Sequence, residues 1–251
     1  MTATARVGHH ERVTTYALHL ESGPKRRKTM VHVPALLGCV AVGPTTEEAL
    51  AATPDAIRAY RRFLRRHGEA VDPDGPVETA VVEHITEGDW LGNGSPYIVL
   101  ATDLVPLPDA GIAQGLLRFA WMREEVAAWA EGRSEAELDA VSSAGGRSAR
   151  AILLHVLAVP GAYLSPVTGG APGFSALQTA AERGQVPLPE ALRRVADMTD
   201  ALVATATPAQ RSAVIQRPKD VRTFPKAIRR ILEHDWEHRA ELSRRPGGPE
   251  V

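Results

Sequence analysis

Two histidines spaced one helical turn apart are the residues of this sequence best suited to chemistry. His234 and His238 lie in a segment, Phe224 to about Arg244, whose apolar spacing predicts one uninterrupted helix. Residues four apart stack on one face of a helix, so both imidazoles point the same way, which suits two ligands of one metal ion. Both fall within the apolar stripe of the helix, where a histidine is either a ligand or a core side chain satisfied by neighbouring carbonyls.

The same periodicity predicts which sides of this last helix are buried and which face solvent. The predicted inward residues are Phe224, Ala227, Ile228, Ile231 and Leu242. The residues predicted on the other side or pointing outward are Arg229, Glu233, Trp236 and Glu237. Asp235 lies on the inward side, where it can orient a metal ligand or act as a general base. The alternative for Asp235 is a salt bridge between two helices.

A third histidine stands in a second helix, predicted from Ser148 to Leu164 and apolar almost all round. His155 is in the middle of that run, and Pro160-Gly161 is predicted to kink or end the helix soon afterwards. Metal sites in helix bundles are built from inward side chains on facing helices. His155 together with the pair on the last helix therefore predicts a site with three imidazoles and a fourth position for water or substrate.

Composition limits the classes of protein that this sequence fits. Its 251 residues suffice for one large domain or two small ones. A net charge of −1 gives no global field to recruit nucleic acid or an acidic membrane. Cys39 is the single cysteine, which excludes an intrachain disulfide and a cysteine-based zinc site. Without a signal pattern or an apolar run of about 18 residues, the sequence predicts a soluble, cytoplasmic protein.

The order of elements predicts an α+β fold in two parts. A small sheet with one helix is expected over residues 13–105, and an all-α bundle of four main helices over 109–245, joined by the proline-rich stretch 104–108. Thr45 is expected to cap the helix of the first part, and Pro54 to break it unless Thr53 caps a second one. The predicted strands are 13–21, two short runs within 30–42, 77–85 and 97–102.

Two stretches resemble known families. The run from His32 to Val40, with Pro34 and Gly38-Cys39, followed by Thr45-Thr46-Glu47-Glu48-Ala49-Leu50, resembles the HicB-like antitoxin domain. That resemblance implies a short antiparallel sheet against one helix and, in toxin–antitoxin pairs, a function of covering an RNA-cleaving partner. Pro54 departs from the unbroken helix of that family. Cys39 is read as a small core residue and not as a nucleophile.

The second resemblance covers roughly residues 109–245. The stretch from Arg147 to His155, together with Ile231 to His238, resembles the DinB superfamily of four-helix-bundle metalloproteins. The resemblance implies that His155, His234 and His238 bind a divalent metal ion, zinc or nickel. Some members of the family are thiol S-transferases or maleylpyruvate isomerases. The HicB-like front part is not a component of the usual DinB unit.

Two functional hypotheses follow from the sequence. The first is a metal-dependent enzyme, a thiol S-transferase or a hydrolase, that acts on a small molecule with a low-molecular-weight thiol as partner. The second is a regulatory binding protein in which the HicB-like part recognises a protein and the bundle is scaffold. Neither hypothesis involves nucleic acid or a membrane directly, and a homodimer stays open. Most of the 29 basic residues are arginine, which is typical of a GC-rich bacterial genome.

Overall fold

A computed structural model describes residues 15–141 and 146–251 of the chain. The predicted α+β class is confirmed, with a sheet and one helix first and a helical part after it. Residues 13 and 14 of the predicted first strand and first domain lie outside the described residues. The strands of the N-terminal sheet are β1 (Thr15–Ser22), β2 (Arg27–His32), β3 (Val40–Thr45) and β4 (Glu78–Ile85).

The N-terminal sheet was predicted to be antiparallel, but it is mixed. Its strand order is β3-β2-β1-β4, and the pairs β1–β2 and β2–β3 are antiparallel, whereas β4 runs parallel to β1. The reason is helix α1 (Thr46–Arg66), which packs on the sheet and carries the chain from β3 at one edge to β4 at the other. A crossover helix of this kind delivers the next strand in a parallel direction.

Helix α1 begins as predicted and does not break at Pro54. The Thr45 hydroxyl accepts a hydrogen bond from the Glu48 amide at 3.2 Å and donates one to the Glu48 carboxylate at 2.9 Å. The helix continues through Pro54 for twelve further residues. Proline removes one backbone hydrogen bond, and the Thr53 hydroxyl donates instead to the Ala49 carbonyl at 2.8 Å.

The strand predicted over residues 97–102 is absent. Residues 97–100 have no regular structure, and Ala101–Leu104 is a 3₁₀ helix. Ile98 and Leu100 are buried, so the apolar alternation comes from a loop that packs inward. The Asp103 carboxylate accepts a hydrogen bond from the Leu100 amide at 2.9 Å, which holds this turn in place.

The helical part is built on four long helices. They are α2 (Asp109–Glu131), α4 (Ala149–Thr168), α6 (Leu188–Ala204) and α8 (Phe224–Ser243). Each packs against two of the others, in the ring α2–α6–α4–α8. The shorter elements are α3 (Glu135–Asp139), α5 (Phe174–Glu182), α7 (Pro208–Ser212), β5 (Val214–Gln216) and β6 (Val221–Thr223).

Helix α4 passes through Pro160-Gly161 and ends only at Thr168, so the predicted end near Leu164 is wrong. The Ser148 hydroxyl caps its first turn by accepting from the Ala151 amide at 3.1 Å. Among the described residues, α4 is the one helix long and apolar enough to cross a membrane by length and composition. It packs against α5, α6 and α8, as the core helix of a bundle does.

The sheet and the bundle share one hydrophobic core, with α8 between them. Trp236 of α8 packs against two aromatic rings of α1. The centroid of its ring is 4.7 Å from that of Tyr60 and 5.3 Å from that of Phe63. A second apolar cluster lies inside the bundle between α2, α4, α5 and α6. The domain limits at 105 and 109 stay predictions, and the contacts across them are extensive.

The outward side predicted for α8 is wrong because α1, the N-terminal sheet and the segment before α2 cover it. Trp236 is 3% exposed, Arg229 2% and Glu233 1%, and Glu237 is half-buried. The five residues predicted to face inward are all buried as well. Periodicity identifies an apolar face of a helix, but a charged face can be buried too when a distant segment supplies opposite charges.

Candidate metal centre

Three imidazoles converge at the surface of the bundle, as predicted. His155 comes from α4, and His234 and His238 come from successive turns of α8. One ring nitrogen from each lies within 4.8 Å of the other two. The ring centroids are 4.4 to 5.1 Å apart, and Nε2 of His155 is 3.0 Å from Nε2 of His234. The packing of α4 against α8 therefore brings together residues separated by 79 positions in the chain.

The three histidines differ in their exposure to solvent. His155 is exposed, His234 is half-buried and His238 is 8% exposed. Burial lowers the pKa of His238 to about 4 and lowers those of His155 and His234 below their ordinary value. All three imidazoles are therefore neutral near pH 7, which is the state that binds a metal ion. The exposed ring of His155 marks the side from which a small molecule can reach the cluster.

A carboxylate fixes the orientation of His238. Nδ1 of His238 lies 2.7 Å from Oε2 of Glu241, one turn further along α8. Arg147, before α4, donates to the same carboxylate oxygen at 2.8 Å. With Nδ1–H donating to Glu241, Nε2 of His238 is the nitrogen left for a ligand. Contacts of this kind set the tautomer and raise the basicity of metal-binding histidines.

The cluster fits a divalent metal ion better than it fits core histidines. Nδ1 of His234 is buried without a hydrogen-bond partner, so neighbouring carbonyls do not satisfy this ring. Two nitrogens that bind one tetrahedral zinc ion at 2.0–2.1 Å lie about 3.3 Å apart, close to the 3.0 Å between His155 and His234. A set of three neutral imidazoles is a donor set that zinc and nickel both accept.

Asp235 of α8 forms a buried salt bridge with Arg123 of α2. Its carboxylate lies 2.5 Å from Nε of Arg123 and accepts from Nη2 at 2.8 Å. Arg123, on α2, also donates to the Val156 carbonyl at 2.8 Å. Burial raises the pKa of Asp235 to about 6, against the opposing effect of the Arg123 charge. The salt bridge between helices is present, and the catalytic role of Asp235 stays a prediction.

A buried ionic network next to the histidines was missed by sequence reasoning. Glu233 accepts from Arg229 at 2.7 Å and from Arg230 at 2.8 Å, and it lies 2.9 Å from Nδ1 of His32 on β2. Arg229 also donates twice to Asp103, at 2.7 Å each. Burial alone would raise the pKa of Glu233, but the charges of Arg229, His32 and Arg230 bring it below its usual range. The local signals of this network were the i, i+4 spacing of Arg229 and Glu233 and the i, i+3 spacing of Arg230 and Glu233.

Comparison with known proteins finds similarity for two stretches of the chain. The sequence model of the DinB superfamily matches residues 118–242, which include all three histidines. A 52-residue stretch is 44% identical to the UPF0150 protein Ta0767 of Thermoplasma acidophilum, covering 21% of this chain and 75% of that protein. This match points to the N-terminal part, where the HicB-like resemblance lies. No solved structure shows a significant match to the chain.

Proposed function

Because residues 118–242 belong to the DinB superfamily, we propose that this protein binds one divalent metal ion through His155, His234 and His238 and uses it in catalysis. The observation that supports this proposal is the convergence of three neutral imidazoles, from two helices, within 4.8 Å. The donor set accepts zinc and nickel, the two ions that the resemblance to the DinB superfamily implies. The exposure of His155 leaves one side of the cluster open to a substrate.

The proposed reaction is transfer of a small electrophile to a low-molecular-weight thiol, with hydrolysis as the other reaction of the same site. A bound divalent ion supplies Lewis acidity, which lowers the pKa of a coordinated thiol or water. Glu241 keeps His238 in the tautomer with Nε2 free, and α4 holds His155 at the open side. The half-buried position of His234 keeps bulk water from one side of the cluster.

Metal analysis of the untagged, full-length protein tests the first half of the proposal. We expect about one zinc or nickel ion per chain after purification in medium that contains both, and none in His238→Ala. Glu190→Gln, on the exposed face of α6, is a control that should keep the metal. Metal-loaded protein that forms no conjugate between a low-molecular-weight thiol and a panel of electrophiles, and hydrolyses no ester, would argue against the enzymatic half.

The similarity to a UPF0150 protein supports a second proposal, in which the N-terminal part binds a protein and the bundle serves as its scaffold. If a neighbouring gene encodes a small basic nuclease, this protein should bind it and suppress its cleavage of RNA. His238→Ala should suppress cleavage as well as the wild type does, because this function needs no metal. Loss of suppression in that variant would favour the metal-dependent function.

A further inference from the structure

Arg230 lies where the elements that surround the histidine cluster meet. It stands one turn before His234 on α8, and its side chain is 2% exposed. Nη1 donates to Oε2 of Glu233 at 2.8 Å and lies 3.9 Å from Sδ of Met30 on β2. The guanidinium also interacts with the hydroxyl of Tyr163, which is two turns after His155 on α4. One buried cation thus contacts α8 and the N-terminal sheet, and its charge acts on one side chain of α4.

Gly94, in the loop after β4, leaves the space that Arg230 occupies. A Cβ atom at this position would lie 2.2 Å from Nη2 and 2.8 Å from Cζ of Arg230. The residue has φ +70°, a conformation that favours glycine. The guanidinium cannot easily move aside, because it is buried and held by Glu233. The loop is therefore shaped around this arginine.

Glu233 connects Arg230 to the rest of the N-terminal part. It contacts His32 on β2, and its second arginine partner, Arg229, is held by Asp103 in the segment before α2. His32, Asp103, Arg229 and Glu233 are each at most 2% exposed. A buried charge without its partner is strongly unfavourable, so each member of such a network fixes the position of the next.

We infer that Arg230 is a positioning residue of the metal centre, through which the N-terminal sheet holds in place the segment of α8 that carries His234 and His238. The ligands come from the helical part, but the geometry of the site depends on the sheet as well. The inference rests on the proposed metal binding.

The test compares metal affinity and metal geometry in full-length variants. Arg230→Lys keeps the positive charge but loses the guanidinium group that donates to Glu233 and interacts with Tyr163. Tyr163→Phe removes the hydroxyl group of Tyr163. Glu69→Gln is the matched control, because it weakens the partly buried pair between Glu69, just after α1, and Arg118 of α2 without touching α8. For each protein we would measure the Zn²⁺ dissociation constant by chelator competition, the visible spectrum with Co²⁺, and the melting temperature without metal.

Arg230→Lys should weaken Zn²⁺ binding about 10- to 100-fold, as losses of supporting contacts do, and should shift the Co²⁺ bands. Tyr163→Phe should do the same to a smaller extent. Glu69→Gln should lower the melting temperature while the dissociation constant and the Co²⁺ spectrum stay those of the wild type. If Arg230→Lys does not fold, Tyr163→Phe decides the question.

Wild-type affinity and spectrum in the two site variants would overturn the inference and leave the proposed metal binding intact. Equal weakening in Glu69→Gln would overturn it too, because the effect would then be general destabilisation. A wild-type protein that binds neither Zn²⁺ nor Co²⁺ would instead overturn the proposed function, and the inference with it. These outcomes are distinguishable in one set of titrations.

Discussion

Glu241 is the residue that determines which nitrogen of His238 faces the other histidines. Its carboxylate is shared between Nδ1 of His238 and the guanidinium of Arg147. Burial acts to raise the pKa of Glu241, but the His238 hydrogen bond and the Arg147 charge lower it, so the group is ionised at neutral pH. An anion behind a ligand histidine makes the ring a stronger donor to the metal.

Removing that negative charge should weaken the metal centre. Glu241→Gln keeps the size and the acceptor oxygen, so His238 keeps its tautomer but loses the anion. We expect the Zn²⁺ dissociation constant to rise about 10-fold, and up to about 100-fold, at pH 7.5. Chelator competition measures this, with Glu190→Gln on α6 as the control for an exposed glutamate. Unchanged affinity in Glu241→Gln would mean that the carboxylate only anchors Arg147.

The lowered histidine pKa values predict how metal-free protein responds to acid. An unfolded histidine titrates near 6.5, whereas His238 in the fold titrates at about 4. Between these values the unfolded chain binds a proton that the folded chain excludes, so the free energy of unfolding falls as the pH falls from about 6.5 to about 4. His238 alone accounts for roughly 3 kcal/mol of this loss.

Urea unfolding of metal-free protein at several pH values across this interval measures the loss. His238→Ala should show a smaller fall in the free energy of unfolding over the same range, because the proton-binding difference at that position is gone. His9 and His10 lie outside the described residues and are left unchanged in both proteins. A wild-type free energy of unfolding that does not change between pH 6.5 and 4 would contradict the burial argument.

At the scale of elements, the continuity of α4 depends on its contact with α5. Gly161 follows Pro160 inside α4, and a Cβ atom there would lie 2.8 Å from Cβ and 3.0 Å from Cγ of Phe174. The two helices approach so closely at this point that only glycine fits. The proline costs α4 a hydrogen bond, and the packing of Phe174 against Gly161 stabilises the helix beyond it.

Gly161→Ala should therefore destabilise the protein although alanine is the better helix former. Overpacking of this kind costs about 1–3 kcal/mol, more than the roughly 1 kcal/mol that alanine gains over glycine in a helix. Gly111→Ala is the matched control in α2, since the nearest atoms to its new Cβ would be 3.4 Å away. Chemical denaturation measures both. A Gly161→Ala protein as stable as Gly111→Ala would show that α5 moves away without cost.

At the scale of the whole molecule, a metal ion at the cluster links α4 to α8 across 79 residues of chain. An ion that binds only the folded state stabilises it by about 4 kcal/mol when its free concentration is about 1,000 times the dissociation constant. Chelator should then lower the melting temperature at pH 7.5. Acid should weaken this effect less than it would for exposed histidines, because burial lowers the pKa of all three imidazoles.

Calorimetry with and without chelator tests this coupling. His238→Ala should melt like the chelated wild type and should not respond to chelator. Wild-type protein that demonstrably loses its metal but keeps its melting curve would show that the site and the global fold are uncoupled.

The sequence by itself determined the parts of this protein that depend on local spacing. His234 and His238 are four residues apart on a helix, and that alone places them on one face. The apolar residues from Phe224 to Leu242 predict the face toward the bundle, and the capping pattern at Thr45 predicts the start of α1. The α+β order of elements follows from the same local patterns.

Tertiary structure decided the features that depend on a distant partner. Trp236 and Glu233 read as outward residues until the sheet and α1 cover them with Phe63, Tyr60 and His32. The direction of β4 relative to β1 depends on the path of the chain through α1, and the residues of β4 themselves carry no information about that path. His155 joins the pair on α8 only because α4 packs beside it. The periodicity of a segment reports the one face that its own residues make apolar, whereas a second buried face is created by charges and rings supplied from elsewhere in the chain.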